Sequence, residues 1–145
     1  MPVALETPET ILVVEDNIIV RRVVCSILKT GGFRVLEAGS AAEAVQIEFD
    51  HAGEIHLLLS DVMMPGKSGP ELAKQIKTLR PEMRVIFMSG YSDCAMLLLD
   101  YGWHFIQKPF LPKMLLSRVD HVLHTPLRDQ GTDHFDTREE ILTTT

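Results

Sequence analysis

Five polar residues in this sequence could do chemistry together, although the chain scatters them: Glu15, Asp16, Asp61, Ser89 and Lys108. Asp61 stands at the end of "LLLSD", and a carboxylate beside so apolar a run costs free energy unless something pairs with it. Three acids brought together repel one another and retain protons unless a cation lies among them. Hard oxygen donors without histidine or cysteine favour Mg²⁺, which keeps several waters and also binds phosphate oxygens. A lysine and a hydroxyl opposite would suit a transferring phosphoryl group, whose charge is spread over three oxygens. Asp61 is then the nucleophile, since a carboxylate can carry an aspartyl phosphate. Each residue alone has an ordinary explanation. Glu15 and Asp16 could cap the helix that follows, Asp61 could be a loop acid, and Lys108 a strand-end charge. Jointly, in this order and spacing, the functional reading is preferred.

That reading requires elements that bring the five to one rim. Apolar runs at residues 10–14 (TILVV), 33–38 (FRVLEA), 55–60 (IHLLLS), 84–89 (RVIFMS) and 103–107 (WHFIQ) read as strands. The first, third and fourth are almost continuously apolar, as strands covered on both faces must be. Helical spacing of Val20, Val23, Val24, Ile27 and Leu28 ends at Gly31-Gly32, and Ser40 with Glu43 reads as a capping box opening a second helix. Ser68 with Glu71, and Pro70, open a third with the stripe Leu72, Ile76 and Leu79, closed by Pro81. A short, apolar fourth helix is expected over residues 93–101, and a fifth after Pro112 presents Leu115, Val119 and Val122. Strand–helix alternation repeated five times implies a parallel α/β sheet with helices on both faces. Ligands bind such sheets beyond the carboxyl ends of the strands. Glu15, Asp16, Asp61, Ser89 and Lys108 all fall there.

Composition excludes other classes. The chain of 145 residues is 46% hydrophobic and 23% charged, as expected for one soluble domain. A formal charge of −6 argues against a nucleic-acid footprint, and neither a membrane span nor a signal peptide is visible. Cys25 and Cys94 read as reduced thiols of a cytoplasmic protein, and His121 with His124 lacks the third ligand of a metal site. Residues 1–9 form a short N-terminal extension, and residues 125–145, polar with scattered charges and few apolar anchors, are a tail expected to be flexible.

The motifs "VVEDN", "LLLSDVMMPGKSG", "VIFMSGY" and "FIQKPF" together resemble the receiver domain of bacterial two-component response regulators, over residues 10–124. The resemblance implies a flavodoxin-like (βα)5 fold, doubly wound, with strand order 2-1-3-4-5. It implies Asp61 as phosphoacceptor, with Mg²⁺ bound by Asp16, Asp61 and the backbone carbonyl of Met63, and by Glu15 through water. It further implies Lys108 as the phosphoryl contact, Ser89 and Phe105 as the switch pair, and a cis peptide between Lys108 and Pro109. The resemblance implies that two positions flank the approach of the hydrolytic water; they fall on Met63 and Tyr91, and neither offers an acid or amide to orient it. A long-lived phosphorylated state is therefore expected.

The phosphodonor implied is a histidine kinase or a histidine phosphotransfer protein. The chain would catalyse its own phosphorylation and dephosphorylation without being an independent turnover enzyme. A haloacid-dehalogenase-type phosphatase also uses an aspartate after a strand, but needs an acid two residues on, where Met63 stands. A flavin or nucleotide binder would want a glycine- or hydroxyl-rich loop where "EDNIIVRR" lies. Eighteen residues separate Ser89 from Lys108, about one helical turn fewer than expected. With "CAMLLLDYGW" so apolar, the fourth helix, fifth strand and fifth helix form a candidate face for a homodimer or a partner. The wording is most like receivers attached to hybrid histidine kinases. A free-standing regulator is the first expectation, because the chain starts with Met and ends without an obvious linker, and the receiver of a hybrid kinase is the alternative.

Overall fold

The computed structural model describes residues 7–90 and 103–124. Tyr91, Cys94, the helix expected over residues 93–101 and the tail at residues 125–145 lie outside the described residues, as do residues 1–6 of the extension. Within them, five parallel strands form one sheet in the order β2-β1-β3-β4-β5, a flavodoxin-like arrangement. The strands are β1 (Thr10–Val14), β2 (Arg34–Ala38), β3 (Leu57–Asp61), β4 (Arg84–Ser89) and β5 (His104–Gln107). The described helices are α1 (Ile18–Thr30), α2 (Ala41–Asp50), α3 (Gly69–Leu79) and α4 (Pro112–Leu123), the last being the helix expected after Pro112.

Alternation of side chains along the strands divides the core in two. Leu12, Val14, Leu58, Val85 and Phe87 face α2 and α3, meeting Ala41, Ala44, Leu72, Ala73 and Ile76. Ile11, Val13, Leu57, Leu59, Ile86 and Met88 face α1 and α4, meeting Val24, Leu28, Leu115, Val119 and Val122. β1 and β3 are buried along their whole length, whereas edge strand β2 begins exposed. Burying side chains on both faces of β1 and β3 also fixes their register, since a one-residue slip would exchange the faces.

Local chemistry sets the boundaries. Gly32, at φ +96°, takes the left-handed turn after α1, and the Phe33 amide donates to the Leu28 carbonyl at 3.1 Å. Phe33 thus belongs to that turn and not to β2. The capping box at Ser68–Glu71 is complete. At α2, Ser40 Oγ accepts from the Glu43 amide, but Glu43 Oε1 accepts from the Gly39 amide, so only half of the expected box forms. Leu79, expected in the α3 stripe, is 67% exposed because the helix ends there and Arg80 caps it. β3 begins at Leu57 and not at Ile55, and it includes Asp61 as its last residue. Cys25 is a buried free thiol, and burial pushes it up to about 11. No helix among the described residues is long and apolar enough to cross a membrane.

Candidate functional site

Glu15 directly follows β1, and its amide continues the ladder by donating to the Ala38 carbonyl at 3.1 Å. Its side chain is almost wholly buried, and Asp61 is 7% exposed at the end of β3. Asp16 is exposed beside them. One carboxylate oxygen from each of Glu15, Asp16 and Asp61 lies within 4.8 Å of the others. The helix-capping role open to the two acids is filled by Asn17, whose side chain accepts from the Ile19 and Val20 amides at 2.9 and 3.1 Å. The acids are left for another purpose. Glu15 Oε2 instead accepts from the Asn17 amide at 3.1 Å, which turns its carboxylate toward the sheet edge.

Lys108 closes the cluster from the far side of the sheet. Its Nζ lies 2.8 Å from Glu15 Oε1 and 2.8 Å from Asp61 Oδ1. Its amide donates to the Ser89 carbonyl at 2.7 Å, tying the end of β5 to the end of β4, and the Lys108–Pro109 peptide is cis. Ser89 is buried at the end of β4. One cation therefore serves two buried carboxylates with a third adjacent. Burial first, then the nearby Glu15 carboxyl, pushes Asp61 up to about 7 against the pull of Lys108. Burial also raises Glu15, but contacts with Asp61, Lys108 and the Asn17 amide outweigh it and hold Glu15 below the usual carboxylate range. Burial lowers Lys108, and its two carboxylate partners more than reverse this. An all-oxygen donor set so crowded with negative charge fits a hard divalent cation, which would relieve the repulsion.

The chain after Asp61 is shaped for close approach. Gly66, at φ +84°, makes a turn that other residues rarely take. The Gly69 amide donates to the Val62 carbonyl at 2.9 Å. A Cβ at Gly69 would fall 2.1 Å from the Asp61 carbonyl oxygen. Glycine at the start of α3 is thus what lets that helix abut the end of β3. Neither Gly69 nor Asn17 was singled out in the sequence, although an asparagine before an apolar periodic run is a cap signal. Met63 is 70% exposed in the loop, and Phe105 on β5 is half-buried, its carbonyl accepting from Arg118 Nη1.

Comparison with known proteins agrees with this geometry. The profile of the response regulator receiver domain matches residues 11–120. The chain belongs to the receiver family. It is 37% identical over 117 residues to the sensor kinase CckA of Brucella abortus, covering 79% of this chain and 12% of that protein. It is 33% identical over 122 residues to the aerobic respiration control protein ArcA of Escherichia coli, covering 82% of this chain and 50% of that one. The chain thus spans half or less of these relatives. Among solved structures, the receiver domain of the hybrid histidine kinase CckA superposes with a TM-score of 0.69 at 40% identity, covering 79% of this chain and 99% of that one. The response regulator TrrA of Thermotoga maritima, solved with Mg²⁺ and BeF, gives 0.70 at 27% identity, covering 79% and 98%. This receiver is therefore a module of two-component signalling with the receiver fold.

Proposed function

We propose that Asp61 of this receiver is the phosphoacceptor of a phosphorelay. The observation that carries the proposal is the juxtaposition of three acids with Lys108, which bridges Glu15 and Asp61. An Asp61 oxygen attacks phosphorus of a phosphohistidine on a histidine kinase or phosphotransfer protein. The Asp61 O–P bond forms as the histidine N–P bond breaks, and the imidazole leaves with the electron pair. Lys108 holds Asp61 in place before transfer and contacts a phosphoryl oxygen after it, while the Ser89 hydroxyl lies at the same sheet edge and follows the new group. Phe105, on the neighbouring strand, is the aromatic that changes position with it. Asp16, Asp61 and the Met63 carbonyl would hold Mg²⁺, with Glu15 through water. The ion supplies charge neutralisation for the phosphoryl oxygens. Acting with such donors places the protein in the cytoplasm.

The test is incubation with a small acyl phosphate and Mg²⁺, followed by intact mass. The expected result is one added phosphoryl group, absent in Asp61→Asn and absent when chelator replaces Mg²⁺ from the start. Equal labelling of Asp61→Asn would overturn the assignment. Similarity to the CckA receiver favours a second arrangement, in which this receiver serves a hybrid kinase and takes its phosphoryl group within that assembly. Transfer from a purified hybrid kinase core, faster than from unrelated kinases, would support it.

A further inference from the structure

Arg21 takes no part in the chemistry above, yet it joins the acidic loop to the rest of the sheet. It lies on α1, and its side chain is only 15% exposed. Its Nε donates to Glu37 Oε1 at 3.0 Å, and its Nη1 donates to the backbone carbonyl of Glu15 at 2.8 Å. That carbonyl belongs to the peptide linking Glu15 to Asp16, so fixing it fixes the rigid plane from which both carboxylates project. Glu37 stands on β2 opposite Val13 of β1, anchored by the parallel ladder. A Cβ built at Gly39 would lie 2.7 Å from Arg21 Nη1, so the absent side chain leaves the guanidinium its place.

We propose that Arg21, braced by Glu37 and given room by Gly39, is a positioning residue for the cation site. It holds the Glu15–Asp16 peptide in the plane that lets both acids meet Asp61 around one Mg²⁺. The inference rests on the phosphoacceptor reading of that site. Charge alone would act in the opposite direction, because a guanidinium repels a nearby cation and its loss should tighten Mg²⁺. The Glu37 carboxylate offsets that repulsion, and the group facing the loop is a neutral carbonyl. Positioning and repulsion thus predict opposite signs for the same substitution. Arg22 lies 3.7 Å from the same Glu37 oxygen but is largely exposed and serves as a control for the charge.

The experiment is a Mg²⁺ titration of the whole chain, followed by backbone amide NMR shifts and repeated on Arg21→Met, Arg21→Lys, Arg22→Met and Gly39→Ala. Thermal midpoints in chelator report global stability separately. Arg21→Met is expected to raise the Mg²⁺ Kd roughly ten-fold, as losing a group that orients metal ligands does. Arg21→Lys should weaken binding less, since one ammonium cannot span carboxylate and carbonyl as the guanidinium fork does. Gly39→Ala keeps every charge and displaces only the guanidinium tip, so it should weaken Mg²⁺ with little change in the metal-free midpoint. Arg22→Met should leave the Kd unchanged. Unchanged or tighter Mg²⁺ binding in both Arg21→Lys and Gly39→Ala overturns the brace, and these two decide the matter if Arg21→Met does not fold. A parent protein that binds Mg²⁺ while those variants match it refutes the brace alone. A parent that binds no Mg²⁺ refutes the phosphoacceptor reading as well.

Discussion

Asp61 is held where a carboxylate is uncomfortable, buried at a strand end beside a second buried acid, with one lysine between them. The backbone around it is equally constrained. In Gly69→Ala the new methyl group would meet the Asp61 carbonyl, and one of two packed backbone segments must move. The expected loss is about 1–3 kcal/mol in denaturant unfolding, the usual range for overpacking, together with slower phosphorylation. An unchanged unfolding midpoint would show that the α3 start yields freely. The exposed Met63 tolerates change better, so it is the place to tune kinetics. Met63→Asn with Tyr91→Glu is expected to speed loss of phosphate from the purified, Mg²⁺-loaded protein about ten-fold, if positioned polar groups lower the barrier by roughly 1.4 kcal/mol. An unaltered rate would mean that these side chains do not gate the water. At this scale the sequence was readable wherever a side chain's chemistry names its use, as for Asp61 and Lys108. It was silent on Gly69, Gly39 and Arg21. Those act by close approach between segments distant along the chain, which no local pattern records.

Among elements, the strands buried on both faces were the most legible, because continuous apolar runs leave little choice. β1 and β4 have the expected bounds, while β3 reaches Asp61 because its ladder to β4 continues to the Asp61–Met88 pair. Helix ends depended on polar groups with alternatives. Glu43 serves the Gly39 amide in place of the Ser40 amide, a choice set by the β2–α2 turn and not by spacing. The edge strand β5 carries an unexpected device. His104 Nε2 is buried without a hydrogen-bond partner among the described residues, and His121 on α4 meets its ring edge-on at 6.5 Å. Burial, with His121 and Arg118 on α4 and Arg84 on β4, brings His104 down to about 4 from an ordinary 6.5. The fold thus accepts the neutral ring. This contribution is intact above pH 6.5 and is lost as pH falls toward 4, because the unfolded chain takes the proton first. The full difference is on the order of 3 kcal/mol. Unfolding free energies between pH 7 and 4 should fall more steeply for the parent than for His104→Phe. Parallel curves would show that His104 is not the group responsible.

For the whole molecule, the site works against the fold that holds it. Without a cation, two buried carboxylates compete for Lys108, and each raises the cost of keeping the other ionised. Sequences commonly depart from their most stable arrangement at functional positions. The sign can be tested with the same substitution that removes the nucleophile. Asp61→Asn keeps the shape, leaves Lys108 to Glu15 and removes one charge, so in chelator it should be more stable than the parent, by on the order of 1–3 kcal/mol. Mg²⁺ should narrow the difference. A ligand at ten times its Kd stabilises the state that binds it by about 1.4 kcal/mol. The parent should gain that amount, while Asp61→Asn, lacking one ligand oxygen charge, should gain much less. Thermal or urea unfolding of both proteins, with Mg²⁺ and with chelator, gives all four values. If Asp61→Asn is less stable than the parent in chelator, the carboxylate is supported by its neighbours even without metal, and Lys108 offsets the repulsion between Glu15 and Asp61.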